Sequence, residues 1–245
     1  MQPFRYYKLK AKEQLYKRLS KPALIAVFTI LFPVILDFFT GTTYKEGKEF
    51  IYYITSLITT VFILQPFTMG ATLFYMRFTR EEDASVGIIF DGFSYFKRLI
   101  PYLVITALIT IGFTCVSEWL IALLETPSDS FATVERVSII YFVMGAVMYI
   151  INKYLSFTFY ILYDYKEISG FKAVIKSIKM TKDYILYLIR LEFSFILWII
   201  SIPLTLGVTL FYTVPYMNIT LLMAYEDIKE KENMEEIEET YGGNE

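Results

Sequence analysis

Long apolar runs alternate with short polar segments along this chain, and this pattern predicts a bundle of membrane-crossing helices. A run of about twenty apolar residues is long enough to cross the hydrocarbon core of a bilayer as a helix. The predicted spans are approximately residues 22–39, 50–76, 99–124, 137–163, 184–202 and 208–224. The predicted fold is therefore all-α, a polytopic integral membrane domain of six transmembrane helices that covers residues 22–225.

Two further segments have one apolar and one polar face and predict helices that lie in the cytoplasmic interface. In the segment 86–98, the apolar face consists of Ile89, Phe90, Phe93 and Phe96. In the segment 169–182, apolar residues recur at the i, i+3, i+4 and i+7 spacing of one helix face, at Phe171, Val174, Ile175 and Ile178. Lysines occupy the other side of the second segment, as is typical of interfacial helices on anionic lipid.

The two ends of the chain carry opposite charge. Residues 1–21 hold seven Lys or Arg and one Glu, whereas residues 226–245 hold nine Asp or Glu and two Lys. The basic segment is interpreted either as a helix on the anionic inner leaflet or, preferably, as a simple topology anchor. The acidic segment is predicted to be a cytoplasmic tail. Because the basic segments face the anionic inner leaflet, membrane lipids of that leaflet are the predicted partners of this chain.

The distribution of basic residues predicts the orientation of the spans. With the N-terminus in the cytoplasm, the inner segments hold 18 Lys or Arg and the outer segments hold 3. Cytoplasmic loops of membrane proteins are enriched in these residues. The sequence therefore predicts an N-in, C-in topology with both termini cytoplasmic.

Composition narrows the chemistry that the chain can perform. The chain is 56% hydrophobic, above the 45–50% typical of soluble domains. It has no histidine and one cysteine, Cys115, so it lacks the commonest general base and cannot form an internal disulfide. Signature motifs of nucleotide-binding loops, zinc proteases and serine hydrolases are absent from the sequence. We therefore expect a non-enzymatic protein with no cofactor, no metal site and no nucleic-acid partner.

Three charged residues fall inside predicted spans and form the candidate polar site. At 1.5 Å per residue, Lys153 lies about 15 Å from the inner end of its span, Glu192 about 12 Å and Arg190 about 9 Å. Intramembrane charges are costly and usually face a partner or a wet cavity. We predict that Lys153 and Glu192 pair or share a cytoplasm-facing pocket, with Asn152 beside it; the alternative is that the basic side chains extend to the interface.

The last third of the chain resembles a known family. The matching stretches are SIKMTKDY (177–184), EFSFILW (192–198) and LGVTLFYTVPYMNITLLMAYEDI (206–228). They are similar to domain of unknown function 975, a family of bacterial integral-membrane proteins, which resembles the membrane portion of some glycerophosphodiester phosphodiesterases. The resemblance implies a bacterial plasma-membrane location and no catalytic residue. It points to these positions: Ser177, Ser194, Trp198, Gly207, Pro215 and Tyr216.

Several functions fit these observations. The leading interpretation is a membrane protein that binds a lipid-like or amphipathic ligand or acts as a membrane accessory factor. One alternative is a secondary transporter with its site in the inner half of the membrane, and another is protection against a membrane-active peptide or toxin. A lipid-modifying enzyme is the least favoured. A second copy of the chain or another membrane protein is the expected protein partner.

Overall fold

A computed structural model describes residues 1–16, 18–42, 49–80, 84–124 and 130–241. Within these ranges every regular element is helical, and the chain divides into two compact units. The first unit comprises residues 1–97 and 183–245, and the second comprises residues 98–182. The all-α prediction is therefore confirmed for the described part of the chain.

Helices long and apolar enough to cross a membrane account for most of the chain. Five such segments occur among the described residues: Ser20–Gly41, Ile54–Thr79, Val86–Leu123, Arg136–Asp164 and Ile185–Leu204. Large apolar side chains on them are solvent-exposed in the isolated chain, as lipid-facing residues are; Phe142 is 79% exposed and Leu197 76%. These features indicate a membrane protein. The predicted span 208–224 is not one of the five, so the sixth span stays a prediction.

The first unit is organised around its last helix. Its α-helices are α1 (Phe4–Leu15), α2 (Ser20–Gly41), α3 (Glu49–Thr59), α4 (Gln65–Thr79), α9 (Ile185–Phe193), α10 (Ile196–Leu204) and α11 (Leu210–Tyr241). Helix α11 packs against α1, α2, α4, α9 and α10. Its buried residues recur every three positions, at Tyr216, Ile219, Leu222, Tyr225 and Ile228, and at 3.6 residues per turn this spacing distributes them around most of the helix. The segment predicted as the sixth span is thus largely surrounded by protein.

The second predicted span is one helix with an irregular middle. A π-helical segment, Thr60–Leu64, joins α3 to α4. Pro66 follows it within the first turn of α4 and has no backbone N–H to continue the ladder of α-helical hydrogen bonds. The π-helical turn before this proline contains one extra residue, which compensates for the hydrogen bond that Pro66 cannot donate. The irregularity before Pro66 is therefore a π-bulge.

The segment after α4 differs from the predicted amphipathic helix. Val86–Tyr95 forms a 3-10 helix that packs against α4. The backbones approach so closely that a Cβ on Gly70 would lie 1.9 Å from the carbonyl oxygen of Ile89, and one on Gly92 would lie 1.9 Å from that of Pro66. With about three residues per turn, Ile89 becomes buried while Phe90 stays exposed, so the predicted apolar face is split.

The second unit contains a break in the fourth predicted span. Its helices are α5 (Phe96–Leu124, which begins in the first unit), α6 (Ser130–Leu155), α7 (Thr158–Asp164) and α8 (Gly170–Lys182). Between α6 and α7, the N–H of Phe157 donates to Ser177 Oγ at 3.2 Å, and the Ser177 hydroxyl donates to the carbonyl of Tyr154 at 2.8 Å. Ser177 lies on α8 and is fully buried. Through these two hydrogen bonds its side chain joins α8 to both sides of the break.

Arg98, at the start of α5, caps the C-terminal end of α7. Its guanidinium donates to the carbonyl oxygens of Leu162 at 2.9 Å, Tyr165 at 2.7 Å and Ile168 at 3.1 Å. The last carbonyls of a helix have no partner within the helix, and a basic side chain can satisfy them. Gly170 allows α8 to begin against this point, since a Cβ there would lie 1.8 Å from the Arg98 carbonyl oxygen.

The fifth predicted span is also broken, between α9 and α10 at Ser194 and Phe195. Helix α10 ends in a Schellman motif, in which the Gly207 N–H donates to the Ile202 carbonyl at 2.8 Å. Leu206 has φ 51° and Gly207 has φ 87°. The turn therefore follows Leu204 and lies between the predicted spans 184–202 and 208–224.

Candidate functional site: a polar cavity beneath the N-terminal helix

The N-terminal helix is docked on the protein. One face of α1 is buried, with Tyr7, Ala11 and Leu15 each at most 3% exposed, and it packs along α11. The ring of Phe4 meets that of Tyr187 on α9 at 4.8 Å between centroids. The buried side of this basic segment therefore faces other helices of the same unit.

Lys8 joins α1 to the break between α9 and α10. Its Nζ donates to the carbonyl oxygen of Ser194 at 2.8 Å and lies 4.1 Å from the centre of the Phe195 ring. Burial, with a smaller contribution from Lys12, lowers the pKa of Lys8. The Lys8 side chain therefore satisfies a carbonyl at the break between the two helices.

Aromatic rings fill the space below Lys8. Phe195 lies 5.0 Å from Tyr216, Trp198 lies 5.7 Å from Tyr216 and 5.2 Å from Tyr212, and each distance joins two ring centroids. Lys12 lies over the Tyr216 ring at 5.8 Å. The cluster therefore locks α10 to α11 and supplies an electron-rich surface under two lysines of α1.

A second set of contacts holds α1 to the polar end of α11. The Tyr7 hydroxyl donates to Asp227 Oδ2 at 2.7 Å. The same carboxylate lies 3.9 Å from the N-terminal ammonium and 3.8 Å from Lys231 Nζ. The Tyr187 hydroxyl donates to the Gln2 carbonyl. Burial, followed by the hydrogen bond to Asp227, raises the pKa of Tyr7 well above its usual range, so the hydroxyl remains a donor.

A polar cavity of about 760 Å³ lies between α1, α11 and the end of α4. Both helices line it with residues about one turn apart, α1 at i, i+1, i+4, i+7 and i+8, and α11 at i, i+1, i+4, i+5 and i+8. From α1 these are Tyr6, Tyr7, Lys10, Glu13 and Gln14. From α11 they are Leu222, Met223, Glu226, Asp227 and Glu230. Arg80 enters from α4 and donates from Nε to Glu226 Oε1 at 3.0 Å, so one wall is an ion pair.

Several polar groups of the cavity are not used by the protein. The Oε1 atom of Gln14 is buried and accepts no hydrogen bond within the described structure. Glu13 and Glu230 line the cavity with exposed carboxylates. Lys10 lies over the Tyr6 ring at 4.6 Å and Arg18 over the Phe78 ring at 4.5 Å. The lining of the cavity therefore offers both hydrogen-bond acceptors and cations to a ligand.

The four residues predicted as an intramembrane site lie next to the two helix breaks. Lys153 precedes the α6–α7 break, with Nζ 5.8 Å from the Tyr149 ring centre, and Asn152 donates to the Met148 carbonyl at 2.9 Å. Arg190 and Glu192 precede the α9–α10 break, where their carbonyls accept from the N–H groups of Ser194 and Phe195. Lys153 belongs to the second unit and Glu192 to the first, and their pairing stays a prediction.

The positions singled out by the resemblance are structural supports of this arrangement. Ser177 bridges one break, and the Ser194 carbonyl accepts Lys8 at the other. Trp198 and Tyr216 belong to the aromatic cluster, Pro215 is buried in α11, and Gly207 makes the turn with positive φ. Sequence reasoning missed the cavity. The signal that points to it is a row of charged residues about one turn apart on each of two segments more than 200 residues apart, and only the docking of α1 brings the two rows together.

Comparison with known proteins agrees with the resemblance in the last third of the chain. The family model described as "Protein of unknown function (DUF975)" matches residues 1–232. No curated protein and no solved structure matches the chain. The likeness to glycerophosphodiester phosphodiesterase membrane portions therefore stays an expectation. Because the family match covers residues 1–232 of the 245-residue chain, this chain belongs to the DUF975 family.

Proposed function

We propose that the protein is a non-enzymatic membrane protein that binds a lipid-like or amphipathic ligand in the cavity between α1 and α11. The observation that carries the proposal is the cavity itself, whose 760 Å³ falls within the 300–1,000 Å³ of ordinary ligand pockets. Its acidic residues on α11, and Arg80 at the end of α4, lie at the polar ends of helices whose other ends are apolar. An amphipathic molecule fits this place because its polar part meets charge while the rest contacts apolar helix surface.

The proposed location is the bacterial plasma membrane, with six spans and both termini in the cytoplasm. The excess of lysine and arginine in the predicted inner segments supports this orientation. Helix α8 supports the proposed interfacial role of its segment, because Phe171, Ile175 and Ile178 are exposed beside its lysines. Fusions of a cytoplasmic and a periplasmic reporter to residue 245 test the topology. Activity of the periplasmic reporter alone contradicts the C-in orientation.

Native mass spectrometry of the full-length protein released from bilayer nanodiscs tests ligand binding. We expect a lipid-sized adduct on the wild type and its loss in Met223→Trp, since Met223 lines the cavity and tryptophan fills it. Met217→Trp provides the matched control, because Met217 is a half-buried methionine six residues earlier on the same helix. An adduct that is equally abundant on all three proteins contradicts a ligand in this cavity.

A secondary transporter is the second candidate, and the helix breaks favour it. Discontinuous helices often form the substrate sites of transporters, and Glu192 lies two residues before such a break. Flux of a candidate substrate into liposomes should then fall in Glu192→Gln. Against this role, the Lys8 side chain already satisfies the Ser194 carbonyl that the break exposes. Protection against a membrane-active peptide stays a prediction from the sequence.

A further inference from the structure

The polar groups in the cavity indicate which chemical group it selects. Three basic and four acidic side chains line it, and two of them, Arg80 and Glu226, are joined in an ion pair. Asp227 is already used by the Tyr7 hydroxyl. Glu13 and Glu230 remain as exposed carboxylates that line the cavity. The unused groups are therefore two carboxylates, which require a ligand that donates hydrogen bonds, and two cations, Lys10 and Arg18.

A primary ammonium group meets this requirement. It carries a positive charge and three N–H donors, so it can donate charge-assisted hydrogen bonds to both carboxylates together. A quaternary ammonium has the same charge but no N–H donor, so it makes neither of these hydrogen bonds. The chemistry therefore discriminates between two headgroups of equal net charge.

The basic residues of the same cavity account for the other half of the ligand. Lys10 and Arg18 lie on the α1 side, and each rests on an aromatic ring without an acidic partner in the described structure. Arginine and lysine are the usual partners of phosphate oxygens. A ligand with a phosphate near its ammonium group can contact both sets at once.

We propose that the cavity binds a headgroup that combines a phosphate with a primary ammonium, as in phosphoethanolamine. This inference rests on the proposed function and adds the ligand class. The same chemistry is available from the phospholipid and from the free headgroup. Glu13 and Glu230 select the ammonium, and Lys10 and Arg18 bind the phosphate.

The test uses full-length protein in nanodiscs with equal amounts of phosphatidylethanolamine, phosphatidylcholine and phosphatidylglycerol, followed by native mass spectrometry. We expect the wild type to retain phosphatidylethanolamine about tenfold over either competitor, a ratio that corresponds to about 1.4 kcal/mol. The double variant Glu13→Gln with Glu230→Gln should retain lipid without this preference. Glu167→Gln, an exposed change in the second unit, should behave as wild type.

A parallel measurement separates the two sources of the headgroup. O-phosphoethanolamine is added to protein in detergent free of phosphatidylethanolamine, and its effect on the melting temperature is compared with that of phosphocholine. A rise with O-phosphoethanolamine alone supports the free headgroup, whereas a tenfold lipid preference without that rise supports the lipid. Both changed residues are exposed, so the double variant should fold, and its melting temperature checks this.

The outcomes separate this inference from the proposed function. Equal retention of the three lipids by the wild type, with loss of lipid in Met223→Trp and no response to O-phosphoethanolamine, overturns the headgroup assignment and leaves the ligand cavity standing. A preference that survives in the double variant also overturns it. Absence of any bound lipid and of any response to the headgroups overturns both the inference and the proposed function.

Discussion

Replacement of Lys8 by methionine removes the contact that joins α1 to the α9–α10 break. Methionine keeps much of the length and apolar surface of the side chain but cannot donate a hydrogen bond. The Ser194 carbonyl then loses the donor that approaches it at 2.8 Å, and the Phe195 ring loses a cation 4.1 Å from its centre. We expect α1 to be held less tightly and the protein to be less stable.

The magnitude follows from the group that is left unpaired. A partly buried carbonyl that loses its partner costs about 1–3 kcal/mol, and a cation over an aromatic ring contributes about 0.5–1 kcal/mol. Relief of the ammonium from a buried position offsets part of this loss, as the lowered pKa of Lys8 indicates. A net destabilisation of about 2 kcal/mol lowers the melting temperature by about 4–8 °C for a chain of this size.

Thermal unfolding of the purified protein in detergent measures this change. Arg5→Met is the matched control, because Arg5 is an exposed basic residue on the same helix. It should melt within about 1 °C of the wild type, as exposed substitutions usually do. If Lys8→Met melts together with Arg5→Met, the contact to Ser194 does not hold α1, and the reasoning is refuted.

Four further changes test other parts of the structure. Because the pKa of Lys8 is lowered in the fold, the unfolded chain binds more protons than the folded protein at pH values between this lowered pKa and the ordinary value of 10.5. As the pH rises through this range, the melting temperature of the wild type should rise relative to that of Lys8→Met, and a constant difference contradicts this. Gly70→Ala should cost at least about 1–3 kcal/mol in thermal unfolding because its Cβ meets the 3-10 backbone, whereas Gly145→Ala, with open space around it, should not destabilise. Ser177→Ala should cost about 1–3 kcal/mol in the same assay, and an unchanged melting temperature argues against its bridging role. Leu206→Gly should stabilise by about 1 kcal/mol by relieving the φ of 51°, and a lower melting temperature contradicts that strain.

The parts of the fold that depend on local pattern were predictable. Runs of apolar residues gave the helices, and the α8 segment follows the helical spacing from Gly170 to Lys182. The five membrane-length segments overlap the first five predicted spans, although the third begins at Val86, within the segment predicted as an interfacial helix. These features depend on residues within a few turns of one another, so one sequence is sufficient to identify them.

The breaks and the cavity depend on distant contacts and were not predictable. Ser194 and Phe195 interrupt a helix without a proline or glycine beside them, and Lys8, 186 residues earlier, provides the hydrogen bond that stabilises the interruption. Ser177 does the same for Phe157 across 20 residues. Likewise, Gln14 and Glu230 have no significance for a ligand until α1 is docked on α11.

A structure of the full-length protein in nanodiscs that contain phosphatidylethanolamine tests the central claim most directly. The account predicts non-protein density in the cavity between α1 and α11, in contact with Glu13, Gln14 and Glu230. A map in which α1 is docked as described and the cavity contains only water contradicts the claim that this protein binds an amphipathic ligand there.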